Sequence, residues 1–157
     1  MAYQKGLLRL DEKLKDYIKD GKFSSEHNKK ITWHHLLNQS SQWKGNLFGT
    51  FDWADRPPRN LSIEELKAQE IPGPGEAYKY NDVRVNLLSF SLLNVFQKSL
   101  PDVLKKEIMD PIGASTSWNW YGYEKSKILL NEGIVGSVSG GGHFGGGLFI
   151  NCLLYTS

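Results

Sequence analysis

The sequence has little of several features that mark particular classes of protein. Cys152 is its only cysteine, so an internal disulfide and a thiolate metal cluster are both excluded. The formal net charge is only +2, which is too small to indicate a nucleic-acid partner. The longest apolar-rich run, residues 83–96, is interrupted by polar side chains and is too short to span a bilayer. None of these features fixes the localisation of the protein, which stays unknown.

Signals for a bound cofactor are also weak. His34 and His35 are adjacent, so on a helix they would point about 100° apart and could not chelate one metal ion together. The glycine-rich segment 139–147 formally contains G-x-G-x-x-G, but neither a helix nor an acidic residue follows it as a dinucleotide site requires. We therefore predict no metal and no other cofactor.

The sequence does contain enough apolar side chains for a packed core. It has 157 residues, of which 39% are hydrophobic, and this length favours a single domain. We place that domain at residues 1–150. The tail, residues 151–157, breaks the preceding pattern, and we expect it to be non-native sequence at the end of a partial reading frame.

Local signals predict an α+β fold that is mainly helical, with a short β-hairpin near the C-terminus. Residues 127–130 and 134–138 flank a turn sequence and predict the hairpin. Residues 40–60 are predicted to form a long loop. We expect this loop to be ordered, because its large aromatic side chains need burial. Capping residues and apolar spacing predict helices over residues 11–19, 32–38, 62–70, 83–97 and 99–109.

The segment from Pro72 to Phe96 organises the chain. Two Pro-Gly pairs force a turn, and a short polar stretch then leads through Tyr80 to Asp82. A helix that is apolar nearly all round follows, which indicates a buried helix. A tyrosine just before the N-terminus of a buried helix has its hydroxyl held in a fixed position. We therefore expect any catalytic chemistry of this chain to take place at Tyr80.

The order of motifs resembles that of the serine β-lactamase-like hydrolases, which include class C β-lactamases, D-Ala-D-Ala peptidases and related esterases and amide hydrolases. The matching motifs follow the family's order over nearly the whole chain. They are Gly6-Leu7-Leu8 with Tyr17-Ile18, Ile31-Thr32 through Ser41, Pro74-Gly75 with Tyr80-Asn81-Asp82 and Leu87-Leu88, Asp110 to Ala114, and Gly145 to Leu148.

The resemblance implies the helical part of a β-lactamase/penicillin-binding-protein-like fold and an enzyme that forms an acyl-enzyme on a small ester, amide or β-lactam substrate. It implies that Tyr80 is the catalytic acid/base. The nucleophile motif Ser-x-x-Lys and the late Lys/His-x-Gly motif of the family are expected outside this chain. The chain alone is then expected to be inactive.

Each site residue has a plainer alternative. The Tyr80 hydroxyl could bond backbone at the helix entrance, since a free tyrosine with a pKa of about 10 is a poor base at neutral pH. Asp82 stands where the family usually has asparagine; it is a candidate for substrate binding, or it caps the helix. His143 lies among glycines that permit close approach of a ligand, or it is simply solvated.

Ser41 and Lys44 form a Ser-x-x-Lys sequence, but we predict that they are not the nucleophile pair. They lie in a loop, so the two side chains would not share a helical face. The resemblance also places this segment after the nucleophile. A different function stays open beside the hydrolase: a non-catalytic helical module that binds a peptide or a glycan through the aromatic loop from Trp43 to Trp53.

Overall fold

A computed structural model describes residues 1–51, 62–131, 133–138 and 147–150. The chain divides into two compact units. We name them the N-terminal unit, Arg9–Arg84, and the C-terminal unit, which joins Met1–Leu8 to Val85–Ser157.

The described residues contain both helices and strands, which confirms the α+β prediction. The helices are α1 (Trp33–Leu37), α2 (Ile63–Ala68), α3 (Asp82–Phe96) and α4 (Leu100–Leu104), and a π-helical turn over Lys105–Met109 continues α4. The antiparallel strand pairs are β1 (Asn46–Leu47) with β2 (Thr50–Phe51), β3 (Trp118–Trp120) with β6 (Leu148–Ile150), and β4 (Gly122–Leu130) with β5 (Gly133–Val138). No helix among the described residues is both long enough and apolar enough to cross a membrane.

Three helices begin at the residues that the capping signals predict. The Thr32 side chain accepts a hydrogen bond from the backbone of His35, and the His35 ring accepts one from the backbone of Thr32. Ser62 and Glu65 make the same reciprocal pair at the start of α2. Ser99 caps α4 through the backbone N–H of Asp102. These bonds satisfy helix N–H groups that would otherwise have no partner.

The predicted helix over residues 11–19 is wrong. Only Leu14–Asp16 is helical, as a short 3-10 turn. The preceding backbone is extended because Lys13 pairs with Thr32 in an antiparallel bridge and the Leu14 N–H donates to the Ile31 carbonyl over 3.0 Å. Pairing with a distant segment therefore overrides the local helical pattern. The apolar stripe is still buried at Leu14 and Ile18.

The C-terminal hairpin is confirmed, and its first strand is longer than predicted, beginning at Gly122. Residues 118–120, for which no strand was predicted, form strand β3 against β6. The core of this unit is formed by buried apolar side chains from α3, α4 and the hairpin. They are Leu93, Leu100, Leu130 and Val138, with Phe96, Trp120 and Val135 among the partly buried neighbours.

Candidate active site

The turn before Tyr80 depends on a glycine. Gly75 has φ +93°, a left-handed conformation that side chains rarely adopt. A Cβ atom at this position would also lie only 3.0 Å from Nε2 of His35. The Gly75 N–H donates to the Ser40 carbonyl over 2.9 Å, and the Lys79 N–H donates to the Gln39 carbonyl over 2.8 Å. The segment from Gly75 to Lys79, which leads into Tyr80, is thus hydrogen-bonded to the backbone of residues 39–40.

The Tyr80 side chain is exposed and holds a carboxylate partner. Its ring is 55% exposed, and its hydroxyl donates to Oδ1 of Asp82 over 2.5 Å. The structure therefore brings together the two residues that were predicted as site residues in this segment.

Asp82 does not cap helix α3, because Asn81 does. Oδ1 of Asn81 accepts from the N–H of Val83 over 2.8 Å and from the N–H of Arg84 over 3.4 Å. Asp82 is instead the first helical residue, where its negative charge is favourable beside the helix N-terminus. The capping alternative for Asp82 is thus wrong. The signal for Asn81 was available, since asparagine is among the best N-cap residues.

Arg84 was missed by the sequence analysis. Its side chain is fully buried. Its guanidinium donates to the Lys79 carbonyl over 3.3 Å, to Oε1 of Gln42 over 3.4 Å and to the Trp43 carbonyl over 3.4 Å. A buried cation is costly unless polar groups surround it, so these acceptors are needed. The sequence signal was the single charged residue in the apolar-rich run 83–96, four residues after Tyr80.

Ser41 and Lys44 lie in an irregular segment, as predicted. Ser41 is fully buried, and its hydroxyl accepts from the N–H of Trp43 over 3.4 Å. The Lys44 ammonium donates to the Gln69 carbonyl over 3.3 Å. Gln42, between them, has a left-handed φ of +48°. The two side chains therefore do not share a helical face in the way that a Ser-x-x-Lys pair requires.

The aromatic loop gives limited support to a glycan-binding or peptide-binding surface. Trp43 is only 1% exposed, and its indole N–H donates to the Lys22 carbonyl over 3.0 Å. Its role is therefore in the core of the N-terminal unit. Trp53, the other end of the predicted loop, lies outside the described residues, and so does His143.

The two adjacent histidines have separate structural roles. The His35 ring contributes to the cap of α1, and burial lowers its pKa, with a smaller contribution from His34. Nε2 of His34 lies 2.9 Å from the side-chain nitrogen of Asn38. Among the described residues no group of three or more histidine, cysteine or acidic side chains is placed to hold a metal ion.

Solved structures of penicillin-binding-protein relatives share this fold. The octameric penicillin-binding protein homologue from Pyrococcus abyssi matches 98% of the chain with a TM-score of 0.57 at 22% identity. A β-lactamase/D-alanine carboxypeptidase from Yersinia pestis, complexed with citrate, matches 94% with a TM-score of 0.55 at 18% identity. EstCE1, a hydrolase with promiscuous acyltransferase activity, matches 94% with a TM-score of 0.55 at 15% identity. The chain therefore has a penicillin-binding-protein-like α+β fold.

The family itself follows from the sequence. A family model described as Beta-lactamase matches residues 1–127, so the chain belongs to the β-lactamase family. This confirms the resemblance that the ordered motifs indicated. The chain spans 39%, 44% and 50% of the lengths of the three solved structures named above. No curated protein sequence matches it.

Proposed function

We propose that this chain is an internal part of a serine hydrolase that acts through an acyl-enzyme on a small ester, amide or β-lactam substrate. The observation that carries the proposal is the exposed Tyr80 phenol, held by Asp82 at the start of helix α3 in a chain of the β-lactamase family. A tyrosine on the surface, with its hydroxyl already oriented, is available to a reacting group. Family membership gives that hydroxyl a chemical task.

Tyr80 is the catalytic acid/base in this proposal. In acyl transfer the attacking hydroxyl must lose a proton, and the leaving group must gain one. The Tyr80 hydroxyl now donates to the Asp82 carboxylate. The phenol must give up its own proton, to the Asp82 carboxylate or to another base, before or as its oxygen accepts a proton from a serine. A cationic neighbour would favour the phenolate, and the lysine of a Ser-x-x-Lys motif provides such a charge in this family.

Asp82 is the substrate-binding candidate in the same proposal. Its carboxylate can only accept hydrogen bonds, whereas the asparagine usual in the family both donates and accepts. A substrate group that meets Asp82 must therefore be a donor, such as an amide N–H or an ammonium. His143 completes the set of proposed substrate-binding residues.

The nucleophile pair and the Lys/His-x-Gly motif are proposed to lie outside these residues. The support is the geometry of Ser41 and Lys44, since the serine is buried in a loop and the ammonium is bonded to the Gln69 carbonyl. One member of a cooperating catalytic set contributes little alone. The chain by itself is therefore expected to be inactive.

Two experiments test the proposal. The first is to assay the purified chain with short-chain nitrophenyl esters and a chromogenic β-lactam. We expect no turnover, and turnover that Ser41→Ala abolishes would overturn the assignment of the nucleophile.

The second is to read the gene upstream of Met1 for codons of a Ser-x-x-Lys motif at a predicted helix start, roughly ten to twenty residues away. Its absence would contradict the hydrolase proposal.

A further inference from the structure

The backbone that leads into Tyr80 is bonded at alternate residues to residues 39–42 of the same unit. Gly75 and Lys79 donate their N–H groups to the carbonyls of Ser40 and Gln39. The Ala77 carbonyl accepts from Nε2 of Gln42 over 2.8 Å. Tyr78 and Tyr80 are exposed. These bonds therefore fix the backbone that leads into Tyr80, from which the phenol projects.

Arg84 and Gln42 are the buried side chains that make this attachment specific. Arg84 donates to the carbonyl of Lys79, the residue directly before Tyr80. It also donates to Oε1 of Gln42, whose Nε2 holds the Ala77 carbonyl. Gln42 is itself 1% exposed, and its backbone carbonyl lies 2.8 Å from Nε2 of His27. Two carbonyls before Tyr80 are thus held, directly or through Gln42, by one buried guanidinium.

Replacement by another cation would not reproduce this arrangement. The Nη1 group of the guanidinium donates to Gln42 and Lys79 and the Nη2 group donates to Trp43. The planar fork thus reaches acceptors in residues 42–43 and in the segment before Tyr80. A lysine presents one compact ammonium and reaches fewer of them at once. The arrangement therefore selects arginine at residue 84 for its geometry rather than for its charge alone.

We infer that Arg84, acting through Gln42 and the Lys79 carbonyl, is a positioning residue that fixes where the Tyr80 phenol stands. This inference rests on the proposed function only in taking the phenol to be the catalytic acid/base. The fixing of the phenol is a property of the chain itself, and it can be measured without any turnover.

The test separates positioning from ordinary stabilisation by means of a matched control. Asn28 is also buried, and its side chain bonds the Lys44 carbonyl over 2.8 Å and the Lys44 N–H over 3.2 Å. Asn28 and Arg84 thus both bond the backbone of residues 43–44, but the side chain of Asn28 bonds Lys22 and Lys44 and not residues 75–80. Asn28→Ala should therefore lower stability without releasing Tyr80.

The experiment uses the chain with 3-fluorotyrosine at residue 80. We would record its ¹⁹F resonance and the hydrogen exchange of the Lys79 amide in the wild type, Arg84→Met, Arg84→Lys, Gln42→Glu and Asn28→Ala. Gln42→Glu keeps an acceptor for Arg84 and removes the donor to Ala77, so it serves if Arg84→Met does not fold. All spectra are taken well below each variant's unfolding temperature.

We expect Arg84→Met and Gln42→Glu to shift or broaden the fluorine signal and to speed the exchange of the Lys79 amide about tenfold or more, as the loss of a buried hydrogen bond predicts. Arg84→Lys should change the fluorine signal and the Lys79 exchange less than Arg84→Met does, and Asn28→Ala should leave both observables unchanged. An unchanged fluorine signal in folded Arg84 and Gln42 variants would overturn the inference, as would an equal change in Asn28→Ala. If the signal responds as expected but Tyr80→Phe proves harmless in an active enzyme, the proposed function fails and the positioning stands.

Discussion

Tyr80 and Asp82 show how two residues can share a helix entrance with different tasks. The phenol donates to the carboxylate, while the helix itself is capped by the residue between them. Neither side chain is required to complete the backbone hydrogen bonds of α3. The proposed tasks of the two side chains, proton transfer and substrate binding, are therefore separate from the capping of the helix.

The first prediction concerns the Tyr80 hydroxyl. In a protein that extends this chain to a Ser-x-x-Lys motif, Tyr80→Phe should lower kcat about a hundredfold to ten-thousandfold, because positioned acid/base catalysis contributes that much. Tyr78→Phe is the matched control, since Tyr78 is exposed and close in sequence but makes no bond to Asp82. Steady-state kinetics with a nitrophenyl ester measures both. Equal losses in the two variants would contradict the role of Tyr80.

The second prediction concerns His35, whose pKa is lowered from its usual value of 6.5 mainly by burial. Below that usual value the unfolded chain binds a proton more readily than the folded chain, so the stability that the neutral ring supplies is lost as the pH falls. The loss stops once the pH is below the lowered pKa of the folded state. Protonation of Nδ1 would also remove the bond that it accepts from Thr32.

His35→Gln provides the measurement. Glutamine at this position can still accept from the backbone of the N-cap residue, but it does not titrate. Urea unfolding at about pH 7.5 and about pH 5 should show a smaller loss of stability in His35→Gln than in the wild type. His34→Gln should keep most of the wild-type loss, because burial is the larger cause. Identical pH dependence in wild type and His35→Gln would contradict this assignment.

At the scale of elements, capping residues determine where helices begin, and hydrogen bonds to segments distant in sequence determine which other residues form strands or extended backbone. Thr32, Ser62 and Ser99 each cap through the backbone N–H three residues further on, so their caps were predictable from the sequence. The false helix at residues 11–19 fails because its backbone bonds to residues 31–34. Strand β3 was missed for the same reason, since its partner β6 lies about 30 residues further on. The burial of Arg84 depends on residues 42–43, which no local pattern relates to it.

The third prediction tests the cap of helix α3. Asn81→Ala should lower the free energy of unfolding by about 1 kcal/mol, because the Val83 N–H loses its acceptor, whereas the Arg84 N–H still donates to the backbone carbonyl of residue 81. Asp82→Ala removes a favourable charge near the helix N-terminus and the exposed hydrogen bond from Tyr80, but no bond to the helix backbone, and should cost about half as much or less. Urea unfolding followed by circular dichroism measures both. A larger loss in Asp82→Ala would show that the capping roles are reversed.

At the scale of the whole molecule, the first residues belong with the C-terminal unit. Met1–Leu8 forms a turn that Gly6 closes, and Lys5 makes an ion pair with Glu107 over 2.5 Å. Leu8 is buried whereas its neighbour Leu7 is exposed. The contact between residues so far apart in sequence was outside the reach of any local signal. Membership of the β-lactamase family, in contrast, could be predicted from the sequence, because it rests on the order of short motifs along the chain.

The fourth prediction tests that assignment. Leu8→Ala should destabilise the protein by about 2–4 kcal/mol, as expected for truncation of a buried leucine. The effect should be seen as faster amide exchange in helix α4 of the C-terminal unit. Leu7→Ala is the control and should change stability little. If Leu8→Ala leaves exchange in α4 unchanged, the first eight residues do not stabilise that unit.

The cap supplied by Asn81 has a practical consequence for residue 82. Since the helix does not need the Asp82 side chain to begin, this position can be varied with little penalty to folding. A small library at residue 82, from asparagine to serine to glutamate, would therefore change the groups beside the phenol while the scaffold stays constant. Substrate preference could then be mapped one side chain at a time.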